Sequence, residues 1–564
     1  MKDWSTFYEQ SGYTRTPAYA ETMKYCRRLE AASPWVHVTS FGQSLQGREL
    51  PLVILSKEKA FTPRAAARTK KAIVLIQSGI HAGEIDGKDA SLMLMRDIAI
   101  TKTKARLLDS AIVLFAPIFN VDGHERISKY NRINQDGPEE MGWRVTANNL
   151  NLNRDYMKAE TPEMRAMLKL FSAWLPDFYF DCHVTDGIDF QYSVTFAIEI
   201  FQNIDPELAS WLRTSFIPVM KSDVERTGNL VAPYMGEREE NDLSKGFMFG
   251  TAGPRFSTGY GAVQNRPALL IETHVYKPYK TRVSATYAML NSVLGTVNRN
   301  AYSLRMLNVR ADARTASIAA NGEYVPLRYA TIERSTSIEF KGWKTTRTIS
   351  PVTGQLMTYY SRDTVSVMLP YFDQVTVTDS VSVPKYYFIP QEWTAVIDVL
   401  RAHGVSLKRL KTQTVLNIDS YRLTSPVWQD KPYEGRHVLR CASTPVHEER
   451  TFPAGTYIVP TSQRTARVIA NLLEPSGPDS FVYWGMFDTI FERKEYYEDG
   501  VMERIAKQMM DADPSLRREF EAKVNSDTTF AASARARLNF FYERSPYWEN
   551  SVGLYPVARY NGNL

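Results

Sequence analysis

Residues 70–84 read Lys70-Lys71-Ala72-Ile73-Val74-Leu75-Ile76-Gln77-Ser78-Gly79-Ile80-His81-Ala82-Gly83-Glu84. The run to Ser78 is apolar, strand-length and ends in small residues, and from Glu84 to Ile98 apolar positions return at helical spacing. His81 and Glu84 therefore fall at a strand-to-helix turn. Residues three apart on such a turn face one side, so an imidazole nitrogen and a carboxylate can converge on one cation. The spacing alone is common among unrelated surface groups. Two more apolar runs repeat the arrangement: Asp177–Cys182 leads into His183, and Pro267–Ile271 leads into Glu272-Thr273-His274. Open α/β sheets carry their chemistry at the carboxyl ends of strands, so these endings suggest one shared pocket. Three protein ligands with a further carboxylate nearby is what a hydrolytic zinc site needs.

Further segments fall in order around these: GQSLQGRELPL at 42–52, NVDG at 120–123 and NLNRDY at 151–156, with HAGE at 81–84, DCH at 181–183 and LLIETH at 269–274. This ordered set resembles the zinc metallocarboxypeptidases related to carboxypeptidase A, over roughly residues 20–300, in the form of a large bacterial member with a C-terminal extension. The resemblance implies a mixed, mostly parallel sheet flanked by helices and one Zn2+ per chain. His81, Glu84 and His183 would be the ligands and Glu272 the general base and acid. It also implies that Asn153 and Arg154 hold the terminal carboxylate of a peptide, as a guanidinium fork and an amide donor can. An arginine that stabilises the oxyanion is expected before that pair. Arg144, beside Trp143, is preferred, with Arg132 and Arg126 left open.

The chain departs from the family pattern in two places. Asn151 stands where the family has an aspartate that orients a zinc-bound histidine; an amide oxygen still accepts that hydrogen bond, but without charge. The tyrosine that covers bound substrate has no clear counterpart, and Tyr260 is the nearest phenol. For the terminal side chain, the stretch Gly253–Tyr260 offers two outcomes. Arg255 turned inward would favour an acidic side chain; Arg255 at the surface with Phe256 inward would leave an apolar pocket.

The function that follows is hydrolysis of the C-terminal bond of peptides with a free carboxylate, cell-wall peptides among them. Two alternatives stay open. Aspartoacylase-like deacylases share the histidine, glutamate and histidine set and cut N-acyl amino acids, and a non-catalytic protein could use the tail to bind peptide or glycan.

Composition bounds these readings. Of 564 residues 44% are hydrophobic and 12% aromatic, enough for several cores, yet no apolar run is long enough to span a membrane. The 68 basic and 62 acidic residues leave a net charge of +6, which makes no case for nucleic acid. Cys26, Cys182 and Cys441 are too few and too far apart for a disulfide framework. Strand alternation sends Cys182 into the core, opposite His183. The first residues lack a signal-peptide core, so the chain reads either as a secreted or periplasmic protein whose signal is absent here, or as a cytoplasmic one. Residues 1–307 read as the catalytic α/β domain, 308–395 as a β-rich domain of Thr-, Val- and Tyr-rich runs, and 396–564 as a mixed region of unknown role.

Overall fold

The computed structural model describes residues 3–239 and 242–564. Among the described residues ten strands precede residue 275: β1 (Val36–Gln43), β2 (Glu49–Leu55), β3 (Ala72–Ser78), β4 (Ala111–Ala116), β5 (Phe178–Thr185), β6 (Val194–Ile198), β7 (Val231–Pro233), β8 (Gly236–Glu237), β9 (Phe247–Met248) and β10 (Ala268–His274). Eight of them form one sheet in the order β1-β2-β4-β3-β5-β10-β6-β7. At its centre β4, β3, β5 and β10 run parallel, while β1, β2 and β6 are antiparallel to their neighbours on the inner side. The sheet is thus mixed and mostly parallel at the middle, as the sequence predicts.

Both faces of the central strands are buried, and alternation divides their side chains. Val74, Ile76, Phe178, Phe180 and Cys182 join one core with the helices Asp86–Ala99 and Tyr279–Arg299. Ile73, Leu75 and Tyr179 join the other. That second core takes in the helix Pro162–Trp174 and also Tyr387, Val396, Leu400, Ile469, Phe481 and Tyr555 from the far end of the chain. The close approach of helix to sheet depends on Gly87, where an added Cβ would come within 2.4 Å of Cys182 Cβ.

Residues 307 and 395, the boundaries read from the sequence, lie inside helices, Ala301–Asn321 and Thr394–Ala402. A long hairpin, Thr336–Ile349 with Leu356–Phe372, continues the sheet begun by β8 and β9 through parallel pairing of Tyr371 with Phe247. Strand Tyr386–Ile389 pairs with Tyr457–Pro460 and with Ala558–Tyr560 in a six-stranded sheet that also holds a second long hairpin, Thr414–Trp428 with Leu439–Phe452. The texture change near residue 308 marks a change of local pattern, and apolar burial runs across it. A separate small core, built on Met502, Phe520, Phe530 and Phe541, gathers the helices between Asp499 and Tyr542.

Candidate active site

Three adjacent parallel strands, β3, β5 and β10, deliver the site at their carboxyl ends. After β3 the backbone turns at Gly79 (φ 65°) and brings His81 and Glu84 over the sheet. His183 and Glu272 are paired across β5 and β10. His81 Nδ1 lies 3.0 Å from Glu84 Oε1, and His183 Nδ1 lies 3.1 Å from Glu84 Oε2. One donor atom from each of the three side chains falls within 4.8 Å of the others, and all three residues are buried.

The distal nitrogens are held from behind. His81 Nε2 donates to Asn151 Oδ1 (3.1 Å), whose acceptor role is fixed by the Asn153 N–H it also receives (2.9 Å). His183 Nε2 lies 2.7 Å from Asp181 Oδ2. Burial holds the His81 imidazole down at about 4, against Glu84. Burial works against protonation of His183 too, but Asp181 and Glu84 overcome it and raise its pKa. Burial raises the Glu84 carboxyl, and His81 and Arg132 outweigh that and hold it well below the usual range. Two imidazoles and a carboxylate, each oriented by a partner behind it, are a donor set suited to zinc.

Glu84 is further engaged by Arg132 Nη1 (3.0 Å), Arg144 Nη1 (3.1 Å) and Val184 N (3.0 Å). Both arginines line the cleft; the Arg132 side chain is 13% exposed and that of Arg144 45%. Arg132 packs close because Gly83 has no Cβ, which would meet Arg132 Cδ at 2.3 Å. The NVDG motif, in the turn and short helix that follow β4, anchors the loop of Arg144: Asn120 Nδ2 donates to Arg144 O (3.3 Å), and Trp143 N donates to Gly123 O (2.7 Å). Arg126 lies over the Trp143 ring, outside the cleft lining.

The cleft has a volume of about 650 Å³. Glu272 lines it, with Oε2 shut off from solvent and, among the described residues, without a hydrogen-bond partner. Burial pushes its carboxyl up to about 8, with His183 opposing and Glu84 adding to the rise. Asn153 and Arg154 line the cleft as well. Asn153 Oδ1 accepts from Ser257 N (3.2 Å), which leaves Nδ2 available to a ligand. The Arg154 guanidinium lies 4.4 Å from the Phe256 ring centroid, and among the described residues no carboxylate pairs with it.

Two expected substrate residues lie elsewhere. Arg255 turns away from the cleft to pair with Asp479 (2.7 Å) and to donate to Pro478 O (2.7 Å), because an otherwise unpaired buried carboxylate and the rings of Tyr483 and Trp484 surround it. Phe256 lines the cleft instead. Tyr260 is fully buried; its ring packs on Tyr156 and Phe171, and its hydroxyl meets Gln264 Nε2 (2.6 Å) and His403 Nδ1 (3.1 Å). The helix Ser257–Val263 buries every one of its residues, so a tyrosine there belongs to the core.

Two cleft-side groups have no motif in the sequence. Tyr234 is the only tyrosine lining the cleft among the described residues. Glu199, just beyond β6, accepts from Ala252 N (3.0 Å), Thr258 Oγ1 (3.2 Å) and Asn203 Nδ2 (2.6 Å), and so ties down two segments of the cleft wall. Burial pushes its carboxyl up to about 7, against those hydrogen bonds. Both follow weakly patterned stretches, and only the fold brings them to the site.

A mixed sheet with a His-Glu-His cluster and a buried carboxyl in one cleft defines a metallohydrolase-type protein. Residues 22–188 match the family model described as zinc carboxypeptidase. The chain carries a zinc carboxypeptidase domain, and its enzyme class is zinc metallocarboxypeptidase, a peptide hydrolase. "Carboxypeptidase 2" of Trichophyton equinum is 25% identical over 498 residues, covering 84% of this chain and 85% of the relative. "Carboxypeptidase 2" of Trichophyton rubrum is 25% identical over 499 residues with the same coverage. These relatives are fungal, where the sequence suggested a bacterial source, and the likeness extends well beyond residue 188. Among solved structures, a metallo-carboxypeptidase from Burkholderia cenocepacia is 19% identical with a TM-score of 0.36, covering 50% of this chain and 70% of that one. Carboxypeptidase A from Helicoverpa armigera is 16% identical with a TM-score of 0.37, covering 51% and 74%. No described helix is long and apolar enough to cross a membrane.

Proposed function

We propose that this chain removes residues from the C-terminus of peptides, with one zinc ion held by His81, Glu84 and His183 and with Glu272 handling the proton. The observation that carries this reading is the meeting, in one cleft, of the ligand cluster, the unpartnered Glu272 carboxyl and the Arg154 guanidinium. When bound, zinc supplies Lewis acidity toward a carbonyl and toward a water.

The chain's own groups account for the rest. Asn153 Nδ2 and Arg154 receive the terminal carboxylate, so that only the last peptide bond comes into register with the ligand cluster. The Glu272 carboxyl, without a hydrogen-bond partner among the described residues and facing the cleft beside the ligand cluster, is placed to take a proton from the attacking water and return it to the leaving amine. Arg144, the more exposed of the two arginines on Glu84, is free to turn toward the oxyanion as charge develops there, while Arg132 stays behind to hold the ligand carboxylate. Phe256 at the cleft wall favours an apolar terminal side chain. Cell-wall peptides and a secreted or periplasmic site of action belong to the same reading.

Incubating the zinc-loaded protein with peptides, their C-terminal amides and N-acyl amino acids, with products identified by mass spectrometry, tests it. Release of single C-terminal residues from free peptides alone supports it. Cleavage of acyl amino acids alone would make the protein a deacylase, and no cleavage at all would favour a binding protein.

A further inference from the structure

Asn151 has no charge to lend to His81, yet its backbone N–H is itself held by a carboxylate from the far end of the chain. Glu434 Oε2 accepts from Asn151 N at 2.8 Å. Glu434 sits at the tip of the second long hairpin, in a tight turn closed by Tyr433 N to Arg436 O (2.8 Å) and Arg436 N to Tyr433 O (3.1 Å). Its two central residues both have positive φ, Glu434 at 50° and Gly435 at 78°. Turns of that kind select asparagine, aspartate or glycine at the first central position, and a glutamate there is held in a region that costs a residue with a Cβ energy. Turn chemistry therefore does not explain Glu434. Its side chain does, since a shorter carboxylate would not make the same reach.

The tip is docked on either side of that contact. Arg436 pairs with Glu160 (2.6 Å), Tyr433 stacks on Trp484, and an added Cβ at Gly435 would meet Leu150 Cδ2 at 3.1 Å. From Asn151 the bonds run on to the site: Oδ1 accepts from His81 Nε2 and from Asn153 N, and Asn153 Oδ1 accepts from Ser257 N.

We infer that Glu434 is a positioning residue of the metal site: its carboxylate fixes the Asn151 peptide so that the uncharged side chain of Asn151 stays aimed at His81. The inference rests on the zinc reading above. Carboxylates behind ligand histidines commonly set metal affinity by ~10- to 100-fold, and here the charge acts one residue further back.

Zinc affinity of the full-length apoprotein, measured by chelator competition alongside thermal melting without metal, is the test. Glu434→Gly suits the turn, so metal-free stability is expected to hold or rise, while zinc affinity falls by ~10-fold. Glu434→Gln keeps an acceptor oxygen and is expected to lose less. Opposite movement of stability and affinity in the glycine variant is what a merely structural turn residue would not produce. If Glu434→Gly, or Glu434→Ala should the glycine variant not fold, binds zinc as tightly as the parent, the positioning role is wrong and the zinc site stands. If the parent binds no zinc, both fall.

Discussion

Asp181 Oδ2 and His183 Nε2 lie 2.7 Å apart, two positions along one strand, whereas the other candidate ligand histidine faces an amide. The two histidines are thus backed unequally, by a carboxylate and by Asn151. His183→Ala is expected to empty the site. Asp181→Asn should keep zinc but weaken it by ~10- to 100-fold. Metal analysis of the purified variants and chelator competition check both, and full occupancy in His183→Ala would refute the ligand assignment.

Glu272→Gln separates binding from chemistry. The variant should fold and hold zinc as the parent does, with turnover down by at least ~10²-fold. Steady-state kinetics on one peptide decide it; near-normal kcat would put the base elsewhere.

Among the described residues, Arg154 is the cleft cation without a carboxylate partner. Arg154→Ala should reduce kcat/KM for peptides with a free C-terminus by roughly 2 to 5 kcal/mol, and the parent should barely cleave the amides. Equal cleavage of both forms by the parent would end the exopeptidase reading.

Arg255 is expected to matter for stability and to leave side-chain preference alone. Its pair with Asp479, whose side chain is fully buried, is broken in Arg255→Ala at a cost of about 3 kcal/mol. Denaturant unfolding measures that loss. The relative rates for peptides ending in Glu, Phe and Lys should match the parent's, and a selective loss for Glu would return Arg255 to the pocket.

Glu199 gives a pH dependence with a defined sign. Its folded pKa of about 7 lies above the usual 4.5, so its protonated form is favoured on folding. The stability this brings is fully present below pH 4.5 and is lost as pH rises through 7, by ~3 kcal/mol at most. Glu199→Gln should therefore lose less stability than the parent between pH 4.5 and pH 8. Thermal melts at the two ends suffice, and parallel curves would show that Glu199 is charged at neutral pH.

The central strands and their chemical endings are legible because each is a short apolar run with an ionisable residue near its carboxyl end or within three residues beyond it: His81 after β3, His183 in β5, and Glu272 and His274 in β10. Helix boundaries are less legible. Helical spacing continues across Asn300, yet two helices meet there, Tyr279–Arg299 and Ala301–Asn321. Helix Thr394–Ala402 is followed by Gly404 at φ 75°, which does not continue a helix. Arg255, for which the sequence leaves two orientations open, and Tyr260 both lie outside the cleft lining, and no local signal could place them. What surrounds them, Asp479, Trp484 and His403, lies more than a hundred residues away, and no local pattern announces such partners. Glu434 was invisible on the same grounds.

The core that holds Ile73, Leu75 and Tyr179 is shared between the helix Pro162–Trp174 and residues from beyond position 380. A fragment ending at Asn321 would encode every candidate ligand, the candidate base and the clamp, yet would expose the side of that core which the later residues complete. Proteolytic nicking or gene truncation downstream should therefore lower stability, and hydrolysis with it, with no chemical group of the cleft removed.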